Sequence, residues 1–253
     1  MLAAVTIGVF RLFHPVEFDV QPVRGSVLVM ESDGRTRVLE NRETAEVRGA
    51  AKIAGRGGGE TDFILSVPGK IRREFRGLLE IREQEGHLLA IVKMDLETAV
   101  ASIVAAEGPG APMEELKAQA IVARSFLLAA HGRHHGFDFC DTTHCQYLRQ
   151  APPSASASRR AQEATKSLAL VYEGRIIPAL YSANCGGHTR SLAEAGWRVE
   201  GYPYFAVDCG VQGKIAGHRI GMCQMGAVAM ARLGATFREI LARYFPSATI
   251  EPR

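Results

Sequence analysis

Apolar and polar positions follow a strand-like pattern through the first 94 residues, and from residue 95 the period becomes helical. Residues 5–13 predict an opening β-strand, and residues 26–30 and 36–39 flank Asp33-Gly34, a dipeptide suited to a tight hairpin. Residues 63–67 form an apolar run stopped by Pro68-Gly69. In residues 75–82 charged and apolar side chains largely alternate, as for a strand with one wet face. Glu85-Gly86 then turns into a strand over residues 88–94. Gly57-Gly58-Gly59 has no helix behind it, so it reads as a flexible loop and not as a phosphate cradle. No catalytic constellation is visible in this half. Beyond it, Leu96, Val100, Ile103, Val104 and Glu107 recur at three- and four-residue steps and share one helix face, which Gly108-Pro109-Gly110 must end. A second helix begins near Pro112 and runs through Leu116, Ala120, Ala123 and Leu127 to Gly132. Residues 158–166 predict a helix, Glu173-Gly174 a hairpin turn joining 170–172 to 175–180, and residues 222–233 a helix ending at Gly234. Thr236-Phe-Arg-Glu239 is a capping-box pattern that opens a last helix through Tyr244. The pattern is that of an α+β chain: a β-rich part, residues 1–94, packed on a mixed helix-and-hairpin part, residues 95–253.

A length of 253 residues admits one large domain or two modest ones, and 47% hydrophobic against 23% charged residues excludes a disordered chain. A net charge of +3 without a Lys/Arg block gives no footprint for a nucleic-acid partner. No apolar run reaches the roughly 18 residues of a spanning helix. The first ten residues are apolar, but no cationic stretch precedes them and Arg11 interrupts the run, which favours a strand over a secretory signal. If the protein is exported, a signal has been removed or lies outside this sequence. Five cysteines cannot all pair internally and are too sparse for a disulfide scaffold, so some are free or bind metal.

Four segments carry chemistry. Glu107 extends an apolar stripe; burial and the negative helix end would both raise its pKa, and a carboxyl held protonated near neutral pH is what a general acid requires. Capping of Glu107 by Arg124 or Lys117 from the next helix is the competing reading. His134-x5-Cys140-x3-His144-Cys145 places four soft or borderline ligands within twelve residues, a common structural zinc set with no open position. His135 competes with His134, and a Cys140–Cys145 disulfide is the chemical alternative. Cys185-Gly-Gly-His188 allows either a thiol nucleophile or a sharp turn. The glycine-framed run Gly217-His218-Arg219-Ile220-Gly221-Met222-Cys223-Gln224-Met225-Gly226-Ala227 leads into a helix amino terminus, a place suited to a polar substrate, with His218 and Gln224 as its polar side chains.

In this order the segments resemble the stage II sporulation protein D / amidase-enhancer family. The resemblance rests on Ala105-Ala106-Glu107-x-Pro109, on Pro112 through Phe126, on Phe137 through Gln146, on Gly186-Gly187-His188-Thr189, on Gly217 through Ala227, and on Glu239 through Pro246. It covers about residues 95–250. It implies lytic cleavage of bacterial peptidoglycan glycan strands already stripped of stem peptides, with Glu107 as general acid and then base, giving a 1,6-anhydro end. One carboxyl serves both steps, and no carboxylate partner stands out in the matching motifs. Gln119, Arg124, Tyr181, Ser182, Asn184, His218 and Gln224 would line the sugar groove. The resemblance also supports structural zinc on His134, Cys140, His144 and Cys145, and a place in the cell envelope or outside the cell. A non-catalytic peptidoglycan-binding protein that stimulates a cell-wall amidase is the second expectation, and a zinc hydrolase with an open coordination position the third. Two departures stand out. The stretch between Pro203-Tyr204 and Gly217 is shorter than in the family, and the family's Gly-His-Gly is Gly217-His218-Arg219, so that the loop is altered or Arg219 touches the glycan. Cys209 belongs to no motif.

Overall fold

The computed structural model describes residues 4–41 and 43–253 and is α+β, with a large antiparallel, nearly barrel-like sheet in its amino-terminal half and most of its helices in the carboxyl-terminal half. The first three residues of the apolar opening run lie outside the described residues. The chain divides into two compact units, Met1–Ser102 with Gly132–Ala151, and Ile103–His131 with Pro152–Arg253. The expected division near residue 94 is thus displaced to within a helix, and a later segment returns to the first unit.

Unit one is built from β1 (Ala4–Val9), β2 (Phe18–Pro22), β3 (Leu28–Ser32), β4 (Arg35–Leu39), β5 (Ala45–Val47), β6 (Ala51–Ala54), β7 (Thr61–Val67), β8 (Ile71–Gln84) and β9 (His87–Asp95), with the short β10 (Phe139–Cys140). Burial alternates strictly along β7, and Phe63 and Leu65 are fully buried, each contributing roughly 1.5–3 kcal/mol by leaving water. The turns at Asp33-Gly34 and Glu85-Gly86 have positive φ at both residues, as their sequences require of tight hairpins. The opening strand is shorter than the expected 5–13: Phe10 and His14 adopt left-handed φ of 61° and 45° around a 3-10 turn at Arg11–Phe13. The glycine run expected as a loop turns through left-handed φ at Gly57 and Gly58, 74° and 79°. Strands β2, β5 and β6 were not legible, being short or closed by proline.

The fourteen-residue β8 joins two arms of this sheet. Its first half pairs with β7, ending at Gly77 opposite Thr61, and its second half pairs with β9 from Leu78 opposite Lys93, and with β6. At the handover a Cβ on Gly77 would stand 2.4 Å from the Lys93 carbonyl oxygen, and φ is +152°. Only glycine fits there.

Helix α1 (Leu96–Glu107) follows β9, its first amides capped by Asp95, whose Oδ1 accepts from the Glu97 and Thr98 N–H groups at 2.9 and 3.1 Å. Unit two centres on α2 (Met113–Ala129), buried on nearly every face from Glu115 to Leu127. Packed around α2 are α3 (Ala157–Ala164), β11 (Leu168–Tyr172), β12 (Arg175–Ile176), α5 (Gln224–Arg232) and α6 (Phe237–Tyr244). The short β13 (Tyr181–Ser182), α4 (Leu192–Ala195), β14 (Met222–Cys223) and β15 (Thr249–Pro252) complete it. The capping box at Thr236/Glu239 forms as read. The helix expected from residue 222 starts two residues later, because Met222 and Cys223 pair in parallel with β13. No helix among the described residues is long and apolar enough to cross a membrane.

Gly77→Ala combines a strained φ with a backbone collision, so its urea unfolding midpoint should fall by the equivalent of at least about 2 kcal/mol. A variant as stable as the wild type would show that the two arms of the sheet do not depend on this crossing.

Candidate functional site

Glu107 ends α1 where Gly108 bonds back to the Val104 carbonyl at 3.0 Å and Gly110 turns the chain towards α2. The parallel pairing of β13 with β14 brings Tyr181 and the start of α5 to the same place. Tyr181 Oη donates to Glu107 Oε1 at 3.0 Å. Around this carboxyl lies an open groove of about 520 Å3, lined among others by Gly108, Glu115, Asn184, Lys214, Gln224 and Arg232. Asn184 is fixed by exchanging backbone bonds with Ala216 at 3.0 and 2.9 Å.

The expected substrate residues separate into groups. Glu107, Asn184 and Gln224 line the groove. Gln119 lies fully buried behind it, its Oε1 accepting from Gln224 Nε2 at 3.3 Å, while its own Nε2 finds no partner among the described residues. Ser182 is buried as well. His218 is half-buried beside Trp197, ring centroids 5.2 Å apart, and its Nδ1 accepts from the Ile220 N–H at 3.0 Å, which shapes its own loop; burial lowers its pKa. Arg124 is a correction: it is wholly buried in the core and donates to the Leu168 carbonyl at 3.1 Å, so it holds the α2–β11 packing instead of facing the groove. Lys117, the other proposed cap of Glu107, pairs with Glu114 at 2.6 Å. Arg219 has φ of 67°, a conformation glycine adopts more easily, and its Nη2 donates to the His188 carbonyl at 2.8 Å; the altered loop is held by its own side chain. Cys185 is fully buried with a thiol pKa pushed up chiefly by burial, the opposite of an activated nucleophile, and His188 is exposed, so Gly186-Gly187 serves as a turn.

Glu115 was missed. Its side chain is 1% exposed, and Oε2 has no partner among the described residues. Burial first, then the negative charge of Glu107, pushes its pKa up to about 7. The same two causes hold the Tyr181 hydroxyl well above its ordinary pKa, so it remains a donor. Adjacent acids at the start of a helix usually complement the dipole from solvent, which hid Glu115 in the sequence.

The second cluster lies in unit one. β10 pairs in parallel with β1, Gly8 opposite Cys140, and Asp138 accepts from the Thr6 amide and hydroxyl at 3.0 and 2.6 Å. These bonds fasten the segment that carries His134, Cys140, His144 and Cys145, whose ligand atoms all lie within 4.8 Å of one another. His134 Nε2 is 3.3 Å from Cys145 Sγ, and His144 Nδ1 is 3.8 and 3.6 Å from the Cys140 and Cys145 sulfurs. His134 stacks on Phe137 at 4.6 Å, whereas His135 is exposed and outside the cluster. Both cysteines are free thiols. A hydrogen bond from Cys145 is the first cause holding the Cys140 thiol far below its ordinary pKa, at about 3, and the same bond raises Cys145.

Residues 84–172 match the family model described as SpoIID, stage II sporulation protein. The chain carries a SpoIID domain. An uncharacterized protein of Brachyspira hyodysenteriae is 30% identical over 122 residues, 47% of this chain and 33% of that protein, so the chain spans about a third of its relative's length. The SpoIID domain takes in β9, α1 with Glu107, α2 with Glu115 and Gln119, and the whole His/Cys segment. It relates the chain to sporulation and the cell wall. Tyr181, Asn184 and Gln224 lie beyond the matched residues.

An unfolded glutamate loses its proton near 4.5, whereas Glu115 holds it to about 7, so between these values the folded SpoIID domain binds more protons and loses stability as pH rises. The loss amounts to roughly 3 kcal/mol, complete above about 7, and Glu115→Gln should remove it. Denaturation midpoints between about pH 5 and pH 8 provide the check; equal slopes for both proteins would show that Glu115 does not hold this proton.

Proposed function

We propose that the chain cleaves peptidoglycan glycan strands lytically, with Glu107 as the single catalytic carboxyl. The observation that carries this reading is Glu107 at the end of α1, open to a groove on one side and held by the Tyr181 hydroxyl on the other. Protonated Glu107 gives its proton to the oxygen between N-acetylmuramic acid and N-acetylglucosamine as the C1–O bond breaks. The resulting carboxylate takes the proton of the muramic C6 hydroxyl as that oxygen bonds to C1, leaving a 1,6-anhydro end. Glu115 is too deeply buried to touch a sugar, and its burial together with the negative charge of Glu107 keeps it protonated up to about pH 7. Lys214 and Arg232 bring positive charge to the groove. That charge suits strands without stem peptides, whose lactyl groups end in free carboxylates. This activity places the protein at the cell envelope or outside the cell, with glycan strands as its partner.

His134, Cys140, His144 and Cys145 fit zinc: two thiols and two imidazoles are a tetrahedral set, and four protein ligands leave no position for substrate. Bound there, zinc would hold the 132–151 segment in its folded-back shape and take no part in the reaction.

Glu107→Gln should lower release of anhydro-ended products from denuded glycan by about 100- to 10,000-fold while glycan binding persists. Tyr181→Phe, which removes one bond to a charged group, should cost about 10- to 100-fold. A wild type that binds glycan, releases no anhydro product and accelerates a cell-wall amidase would replace the enzyme with the amidase-stimulating reading. For the metal, Cys145→Ser should remove one zinc equivalent and lower the melting temperature; an unchanged zinc content would overturn the assignment.

A further inference from the structure

Three cysteines outside both sites converge from separate segments of unit two. Cys185 follows β13, Cys209 lies in the loop before Gly210, and Cys223 is the residue that caps α5. Their sulfurs all lie within 4.8 Å of one another, all are free thiols, and each is at most 5% exposed. They sit in the core with Met222, Ile240 and Tyr244. Cysteine in a core can be a small hydrophobe, but these sulfurs are treated as polar groups. The backbone N–H groups of Cys185 and Gly226 both donate to the Cys223 sulfur, at 3.3 and 3.4 Å, and the Tyr244 hydroxyl stands 3.2 Å from Cys209 Sγ. Amide donors at a helix amino terminus are the surroundings of a thiolate or a metal-bound sulfur. The backbone is shaped to leave these atoms room: a Cβ on Gly226 would stand 2.2 Å from the Cys209 sulfur and 2.0 Å from the Tyr244 hydroxyl.

We propose that Cys185, Cys209 and Cys223 form a second metal site, for a thiophilic d10 cation, Zn2+ or Cu+. The cluster holds no carboxylate or imidazole, which selects against Mg2+ and Ca2+ and for soft cations. In a tetrahedral zinc site with bonds of about 2.3 Å, sulfurs stand roughly 3.8 Å apart, a spacing inside the 4.8 Å that encloses these three. Binding exchanges three S–H protons, released to solvent, for three metal–sulfur bonds without any change of oxidation state. Tyr244 Oη is the neighbouring oxygen able to complete a fourth position for zinc. The cation ties the segments carrying Asn184 and Gln224 to the loop of Cys209, bracing two lining residues of the groove from behind. This site is independent of the glycan-cleaving reading.

The test uses the reduced full chain, freed of metal, then given Zn2+ alone or Cu+ alone and weighed by native mass spectrometry. Wild type should hold one cation more than Cys209→Ser in at least one arm, and the arm identifies the metal. Cys145→Ser should lose a different equivalent, and the double variant both. X-ray absorption of the zinc-loaded wild type needs no variant to fold: it should give about 2.5 sulfurs per zinc if both clusters fill, and about three if only this one does. A value of about two together with no extra Cu+ over Cys209→Ser, a folded Cys209→Ser protein with the wild-type cation count in both arms, or a disulfide between any two of the three in the freshly isolated chain would overturn the proposal.

Discussion

Helix α2 is buried on nearly every face, so each polar side chain it carries must find a partner in a dry place. Arg124 finds a carbonyl on β11. Ser125 accepts from the Leu170 amide at 2.8 Å while donating to Ile121 at 2.6 Å, which pins the same strand again. Towards its amino end the demand is met differently: Gln119 reaches Gln224, and Glu115, whose Oε2 has no partner among the described residues, holds its proton. The groove thus lies at the end of the helix where burial is least well compensated. Leaving buried polar groups there costs on the order of 1–3 kcal/mol each, and natural chains tolerate such a cost most readily where a site needs it.

What was legible in the sequence follows from how local each constraint is. The two-residue turns, the capping box at Thr236 and the stop after Glu107 are each settled by a few neighbouring residues, and each appears as read. The His/Cys segment was legible as a cluster because its four members fall within twelve residues. Arg124 was misplaced because a sequence does not say which way a fully buried helix points its charges. Glu115 was overlooked for the related reason that an acid in a first helical turn is ordinarily solvated. Cys209 gave no sign at all: its partners lie 24 residues before it and 14 after, and only the fold joins them.

The division into units carries a similar lesson. Residues 132–151 lie between two helices of unit two in the chain, yet Asp138 and Asp141 bond back to β1 and to Arg73, the latter at 3.1 Å. A short parallel strand and the two aspartates hold it there, with Arg73 also donating to the Leu148 carbonyl at 3.2 Å and Arg82 to the Gly136 carbonyl at 3.3 Å. A tetrahedral ion on the proposed ligands would add a restraint within the segment itself, because closing such a loop through four ligands removes freedom that the unfolded chain would otherwise keep.

Glu115 adds a second acid to the lining of the groove without adding a second carboxylate that can reach a sugar. A glycosidase of the hydrolysing kind needs a second carboxylate that can reach the sugar or a water on it. Glu107 and Glu115 are the acidic residues that line the groove, and they interact, but Glu115 is 1% exposed and stays protonated until about pH 7. A buried neutral acid can neither attack C1 nor activate a water beside it. The groove therefore presents one usable carboxyl, which is compatible with the proposed reaction, where the nucleophile is a hydroxyl of the substrate itself. A muramic residue carries such a group in its C6 hydroxyl, so the proposed ring closure needs no second carboxylate from the protein.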